Sequence, residues 1–381
     1  MKYRLGEICD VVSGGTPSRA TAEFWDGGTI PWIKIGNIQR KYVDEADEYI
    51  TQAGLEGSSA KMLSAGTILF TIFATLGEVG ILTIEACTNQ AIAGITIKNQ
   101  SDILTDYLYY FLKSQKSCIA ALGRGVAQNN INLSILRNFE VPIPDLPMQK
   151  QIVAILDKTA KVVEVRQQQL QQLDELVKAR FVELFGDGNH PHIALIDLII
   201  EGAGLSYGIV QPGDDGTGDM GVLRPVDMVD GKISTASIKY IDRSIGDGFK
   251  KTELYGDELL ITVRGTTGIT ALTDIRFNGM NVTRGIAVVR YDRNKINPVY
   301  LNAYLNTDES QRYIQEHTRG ATLQQINLSD LRVQQIMVPP LALQEQMAAF
   351  IEQTDKSKSV VQKALNEAQL LFDSLMQQYF G

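Results

Sequence analysis

The side chains best equipped for catalysis are few and badly spaced. His190, His192 and His317 are the only histidines, so the first half has no imidazole to serve as a base for a nucleophile. His190-Pro191-His192 offers two metal ligands in a glycine-rich linker, with no evident third. Asp214-Asp215-Gly216-Thr217-Gly218-Asp219 has the composition of a calcium loop but lacks the bidentate glutamate that would close the site, so a flexible acidic loop is the plainer reading. Gly231-Lys232 has neither the spacing nor the hydroxyl of a phosphate loop, and no G-x-G-x-x-G follows a strand pattern. An Asp/Asn-Pro-Pro-aromatic tetrapeptide of the amino-methyltransferase type is missing too, and Pro339-Pro340 is a helix opening instead. Cys9, Cys87 and Cys118 have no metal-ligand spacing and fit a reducing cytosol. The chain reads as a binder.

A binder needs a frame, and the sequence contains one twice. RGVAQNNINLSILR from Arg124 returns as RGATLQQINLSDLR from Arg319, and both copies run on to Phe-Gly, at Phe185-Gly186 and Phe380-Gly381. An offset of 195 maps one copy onto the other without a gap, with about a third of positions identical. A repeat of half-chain length means duplication of a domain plus a helix, not a solenoid of small units. After Pro144 and Pro147 an apolar stripe runs through Met148, Ile152, Ile155, Thr159, Val162, Leu170, Leu173, Val177, Phe181 and Leu184. Leu343, Met347, Phe350, Thr354, Val361, Ala364, Ala368, Leu371 and Leu375 keep the same rhythm in the second copy. Heptad-like spacing sustained this long predicts that the two helices pair as an antiparallel coiled coil, with the packing of each helix on its own domain as the alternative.

Each helix follows a mixed domain. The fold class is α+β, divided as domain 1–145, helix 146–186, domain 187–340 and helix 341–381. In the first domain the pattern predicts a helix-like Tyr3–Val12, a turn at Gly14-Gly15-Thr16-Pro17-Ser18 and strands around Trp32, Phe70 and Ile92. A helix is expected from Thr105 to Leu122. The second domain answers with a helix-like Ile193–Glu201, strands around Val222, Ile261 and Val288, and a late helix from Pro298 to Glu316. Gly268 answers Gly77.

At 381 residues the chain is long enough for two or three cores, and 44% hydrophobic with 21% charged residues is ordinary for a soluble globular protein. No apolar run is long enough to cross a bilayer, and the opening MKYRLGEICD lacks the apolar core of a signal peptide. The expected location is cytoplasmic, with no membrane partner. Net charge is −8. Residues 1–145 carry 12 basic and 15 acidic groups and residues 187–340 carry 15 and 19, so any nucleic-acid contact must come from a local patch. Ten of those 15 basic residues are arginine, which suits bidentate contacts.

The repeated I-N-L-S-x-L-R, the V-P-I-P strand and the Q-x-Q-I that opens the first helix resemble the specificity subunit of type I restriction–modification systems. Gly14-Gly15-Thr16-Pro17-Ser18 and Ile30-Pro31-Trp32-Ile33-Lys34-Ile35-Gly36-Asn37 are similar to that family's target recognition domain. The resemblance covers essentially the whole chain. It implies that each domain reads one half of a bipartite, asymmetric site on double-stranded DNA, with the paired helices as spacer. It implies partners as well: modification (methyltransferase) subunits docked on the helices and a restriction (translocase/nuclease) subunit. S-adenosylmethionine, ATP and Mg would belong to those partners and no cofactor to this chain, which would be non-catalytic. About 39 helical residues at ~1.5 Å each make a rod of roughly 58 Å, on the order of 17 base pairs.

On that reading, base contacts are expected from polar residues in glycine-rich loops and at strand ends. In the first domain these are Thr16, Ser18, Arg19, Lys34, Asn37, Arg40, Thr75, Asn89 and Gln90; in the second, Tyr207, Arg224, Arg264, Thr266, Thr267, Asn281 and Arg284. Arginine and lysine pair with guanine, and Asn or Gln with adenine. Arg124 and Arg319 match across the repeat and suit phosphate or a structural role, because a shared residue cannot explain different half-sites. Asn132/Asn327 and Arg137/Arg332 are read as structural. For each side chain, solvated or structural use stands beside base contact. Two other functions remain open on sequence: a self-contained DNA-modifying enzyme, and a coiled-coil scaffold bearing duplicated protein- or glycan-binding domains.

Overall fold

A computed structural model describes residues 1–381 except 117, 118, 120–130, 187, 212, 214–217 and 230. Cys118, Arg124 and most of the acidic loop at 214–219 therefore lie outside the described residues. The chain forms two compact units, Met1–Gln168 with Gln362–Gly381, and Gln169–Val361.

In the first unit β-branched and aromatic runs build a five-stranded sheet in the order Cys9–Ser13, Ile92–Ile97, Ile68–Thr71, Val79–Leu82, Tyr42–Val43. Only the last pairing is parallel. A smaller sheet places Ile30–Ile33 between Glu48–Ile50 and Cys87–Thr88. The helix Thr105–Ser114 buries Tyr107, Leu108, Phe111 and Leu112 in the main core. The expected helix at Tyr3–Val12 is corrected: only Leu5–Ile8 is helical. Its flanks are claimed by strand partners, Lys2–Arg4 by Glu140–Pro142 and Cys9–Ser13 by Ile92–Ile97. Four residues cannot hold a helix against such pairing.

The second unit repeats the plan with shorter strands. Met220–Leu223 lies between Lys239–Ile241 and Asn281–Val282, and Leu259–Thr262 between Thr270–Leu272 and Ile286–Val289. The helix-like Ile193–Glu201 is corrected in the same way. His192–Ala194 pairs with Gln335–Met337, leaving only a 3₁₀ turn at Leu195–Leu198. The late helix from Pro298 splits into Pro298–Leu305 and Asp308–His317. Thr307 restarts it, its hydroxyl accepting from Ser310 N with Asp308 and Glu309 in the first turn.

Two 40-residue helices, Leu146–Phe185 and Leu341–Phe380, contribute to both units. In the second unit Asp174 pairs with Lys358 at 2.7 Å, and one and a half turns on, Arg180 lies over the Phe350 ring at 5.8 Å. Advancing along one helix means retreating along the other, so they pack antiparallel. The buried seam, which at Gln149 and Gln344 faces the domain of the same copy, keeps heptad spacing through Gln149, Ile152, Leu156 and Thr159, and through Gln344, Met347, Thr354, Ala368 and Phe372. Three stripe residues miss it: Met148, Val162 and Leu371 are 46%, 47% and 55% exposed, because the seam passes one position later, at Gln149, Val163 and Phe372.

The frame residues match across the repeat. Arg137 donates to the Val11 carbonyl at 2.7 Å and Arg332 to the Leu205 carbonyl at 2.8 Å. The Tyr107 hydroxyl donates to Pro142 O and the Tyr300 hydroxyl to Met337 O. In the first unit the Phe380 ring packs 5.4 Å from Tyr107; in the second, Phe185 packs 5.3 Å from Tyr300. The Phe-Gly ends are thus core plugs. Among the described residues no helix is long and apolar enough to cross a membrane, and no group of three or more His, Cys, Asp or Glu could hold a metal ion.

Candidate nucleic-acid interface

In the first domain three loops converge because glycine lets backbones touch. A Cβ on Gly14 would meet the carbonyl oxygens of Thr88 and Asn89 at 2.3 Å, and one on Gly15 would meet Ala60 N at 2.3 Å. The Gly14 and Gly15 amides donate instead to Ile92 O and Thr88 O. That contact sets exposed Thr16 beside Gln90, and its hydroxyl bonds to Gln90 Oε1. The loop Phe73–Gly77 leaves from the same place, since Ile72 N donates to Ala91 O at 2.8 Å.

Arg19 lies flat over Trp25, 3.7 Å from the ring centroid, and Trp25 meets Trp32 edge-on at 5.1 Å. Both indole N–H groups are used, Trp25 on Ser18 O and Trp32 on Gly15 O, so the stack is tied to the glycine turn. Glu48 pairs with both Arg19 and Lys34. The hydrogen bond from Lys34, then that from Arg19, holds its carboxyl below the usual carboxylate range. The trio's one net positive charge is offset by Asp47, 4.0 Å from Lys34 Nζ, and the stacked guanidinium is pre-shaped for a base edge.

The remaining candidates fall into two groups. Ser18, Arg40 and Thr75 are exposed, and Arg40 makes no side-chain hydrogen bond or ion pair among the described residues. Asn37 and Asn89 are half-buried and occupied locally: Asn37 Oδ1 accepts from Lys34 N at 2.8 Å, and Asn89 Oδ1 from Ala91 N at 3.1 Å. These are turn-forming roles. Arg124 lies outside the described residues.

In the second domain Tyr207, Thr266, Arg284 and Arg319 are exposed. Arg319 stands 3.8 Å from Asp330, and its backbone pairs in both directions with Gln325 at 2.8 Å, closing a hairpin. Arg224 is held by fully buried Asp227 through Nε at 3.2 Å and Nη2 at 3.1 Å, and donates also to Ser237 O. Half-buried Arg264 makes no side-chain hydrogen bond or ion pair among the described residues.

Two expectations are corrected here. Asn281, 1% exposed, accepts from the Thr252 hydroxyl and Val282 N and donates to Phe249 O, so it braces the core. Thr267 is buried with its hydroxyl on that of Thr318, 3.0 Å away. Sequence reading missed Trp25 and Glu48, whose importance depends on contacts across distant segments. It missed Phe73 as well, an exposed aromatic that alignment on Gly77 and Gly268 would have brought out.

A further cluster anchors the first long helix to the first domain. Lys41 Nζ reaches Asp106 Oδ1 at 2.7 Å and Asp157 Oδ1 at 2.6 Å, and the Tyr110 hydroxyl donates to Asp157 at 2.5 Å. Burial alone would lower the Lys41 ammonium; its hydrogen bonds to the two carboxylates outweigh that and raise it. Burial likewise opposes ionisation of Asp106, but hydrogen bonds from Lys41 and Tyr42 bring it below its ordinary value.

Known proteins resemble the chain in sequence and in fold. The family profile described as the type I restriction modification DNA specificity domain matches residues 1–175 and 219–369. The specificity subunit of the type I restriction enzyme EcoR124I/EcoR124II from Escherichia coli is 33% identical over 160 residues, 40% of this chain and 39% of that one. The MjaIX specificity subunit from Methanocaldococcus jannaschii is 22% identical over 376 residues, 92% of this chain and 85% of that one. In fold, the chain resembles the crystal structure of a type I system S subunit from M. genitalium, with a TM-score of 0.59 at 15% identity, covering 100% of this chain and 96% of that one.

Proposed function

The chain belongs to the type I restriction–modification DNA specificity family, and from that premise we propose that each of its domains reads one half of a bipartite DNA site. The observation that carries this is the repeated frame around unlike loops. Equal Arg137/Arg332 and Tyr107/Tyr300 contacts hold up domains whose exposed polar residues differ. Thr16, Gln90, Arg19 and Lys34 would serve the first half-site, and Arg224, Arg264, Thr266 and Arg284 the second. Arg40 and Arg319 fit backbone phosphate better: both are exposed, and Arg319 matches Arg124 across the repeat, so it cannot distinguish one half-site from the other. The chain acts as the specificity subunit, and we assign it no catalytic step. Methyl transfer with S-adenosylmethionine, and ATP- and Mg-dependent translocation and cleavage, would be carried by modification and restriction subunits in the cytoplasm. The antiparallel helices would set the spacer and offer the docking surface.

Methylation-motif sequencing of a host with the chain, without it, and with residues 1–145 replaced by a homologous domain tests this. Replacement should change one half-site and leave the other intact. Removing one heptad from a long helix should change the spacer while keeping the bases read; an unaltered spacer would count against that role.

A further inference from the structure

The loops after Thr71 and Thr262 are the same object carrying different side chains. Thr71 Oγ1 accepts from Glu78 N at 2.8 Å, and Thr262 Oγ1 from Ile269 N at 2.9 Å. Gly77 N donates to Thr71 O and Gly268 N to Thr262 O. Ile72 N reaches Ala91 O and Val263 N reaches Gly285 O, both at 2.8 Å, while the carbonyls of Ile72 and Val263 accept from Ile131 N and Ile326 N, both at 3.0 Å. Backbone signs agree too: Ala74 and Gly265 both have positive φ, 59° and 89°, and so do Gly77 and Gly268, 80° and 88°. Ala74 is the only non-glycine residue in that region among those described, so the loop shape is enforced even where it strains the chain.

With these hydrogen bonds and backbone signs shared, the residue before the positive-φ position occupies the equivalent place in both loops, exposed at Phe73 and half-buried at Arg264. In the first it is Phe73, 39% exposed beside Ala74 and Thr75, which are themselves exposed. In the second it is Arg264, with no side-chain hydrogen bond or ion pair among the described residues. An aromatic ring held out beside exposed Ala74 and Thr75, and a guanidinium without a side-chain partner among the described residues, gain nothing for the fold. Both gain at a DNA groove: an apolar side chain packs on the thymine methyl, and arginine pairs bidentately with guanine O6 and N7.

We infer that Phe73 and Arg264 are one specificity-determining position in two chemistries, Phe73 selecting a thymine-containing pair in one half-site and Arg264 a guanine in the other. This rests on the DNA-reading role proposed above. The test uses the full chain assembled with its modification subunits and position-resolved methylation sequencing. Phe73→Arg should move one position of the first half-site toward guanine by on the order of tenfold, and Arg264→Phe should erase a guanine preference in the second by a similar factor. In each case the other half-site and the spacer should stay the same. If either variant methylates nothing, Phe73→Leu and Arg264→Gln replace them: relaxed discrimination at one base pair supports the assignment. An unchanged motif, or loss of all methylation again, overturns it. Exchange of the whole of residues 1–145 runs alongside. If that leaves both half-sites unchanged, the domain-reading proposal has failed, not merely this position.

Discussion

Gln149 and Gln344, 195 positions apart, make the same three hydrogen bonds from the first turn of their helices. Gln149 accepts from Leu104 N at 2.9 Å and donates to the carbonyls of Asp102 and Pro144; Gln344 accepts from Asn297 N at 2.8 Å and donates to those of Lys295 and Pro339. Both are 0% exposed. Each ties the start of a long helix to the start of a domain helix. Alanine at either site leaves a buried amide and two carbonyls unpaired, at a cost of about 2–4 kcal/mol. Urea unfolding should show that loss, and Gln149→Glu should restore little of it because a carboxylate cannot donate to carbonyls.

The Lys41–Asp106–Asp157 cluster predicts a pH dependence with a defined sign. The Asp106 pKa is lower in the folded state, so its contribution is present above the ordinary aspartate value of about 3.9 and is lost as pH falls through the folded pKa. The Lys41 pKa is higher, so its share is complete below about 10.4 and is lost as pH rises through the folded value. Lys41→Met should cost about 1–2 kcal/mol near neutrality, discounted for the partial exposure of both carboxylates, and should flatten both limbs. Thermal melts from pH 3 to 11 would show otherwise if the two curves ran parallel.

Ala74 sits at φ 59°, a conformation that costs a side-chain-bearing residue roughly 1 kcal/mol. Ala74→Gly should therefore be neutral to slightly stabilising, after allowing for the greater freedom of glycine in the unfolded chain. Gly265→Ala should be destabilising by about 1 kcal/mol. Chemical denaturation of the pair would reveal the opposite order if the loop were soft.

Phe380 and Phe185 plug equivalent cores. Phe185, 2% exposed, should cost about 3–4 kcal/mol on truncation to alanine, and the half-buried Phe380 about 1–3. Calorimetry should show the larger drop in melting temperature for Phe185→Ala.

Arg40 is exposed and has no side-chain ion pair among the described residues. If it meets phosphate, its alanine variant lowers affinity for all sequences alike and reduces the salt slope by about 1. A change confined to one base position would reassign that residue to base reading.

Much of the architecture was legible because it rests on periodicity. The helices end where the Phe-Gly pairs predicted, and the 195 offset carries the seam residue by residue. What was not legible depended on pairing between distant segments. Nothing local in Tyr3–Val12 announces that both its flanks will be drawn into strands. Asn281 looked like a reader because its type suits adenine; only the Thr252 and Phe249 partners show that it is spent inside the domain. Glu48 was invisible for the same reason, since its meaning comes from Arg19 and Lys34 arriving together.

Arg137 and Arg332 bind main-chain carbonyls, not side chains. Such a socket is indifferent to the sequence plugged into it. A crossover between the INLS-x-LR stretches of two related genes would therefore keep this socket intact, leaving side-chain contacts such as Lys41–Asp157 as the ones a chimera must match. If each domain reads its own half-site as proposed, a lineage would change what it marks by exchanging one cassette in a single recombination event.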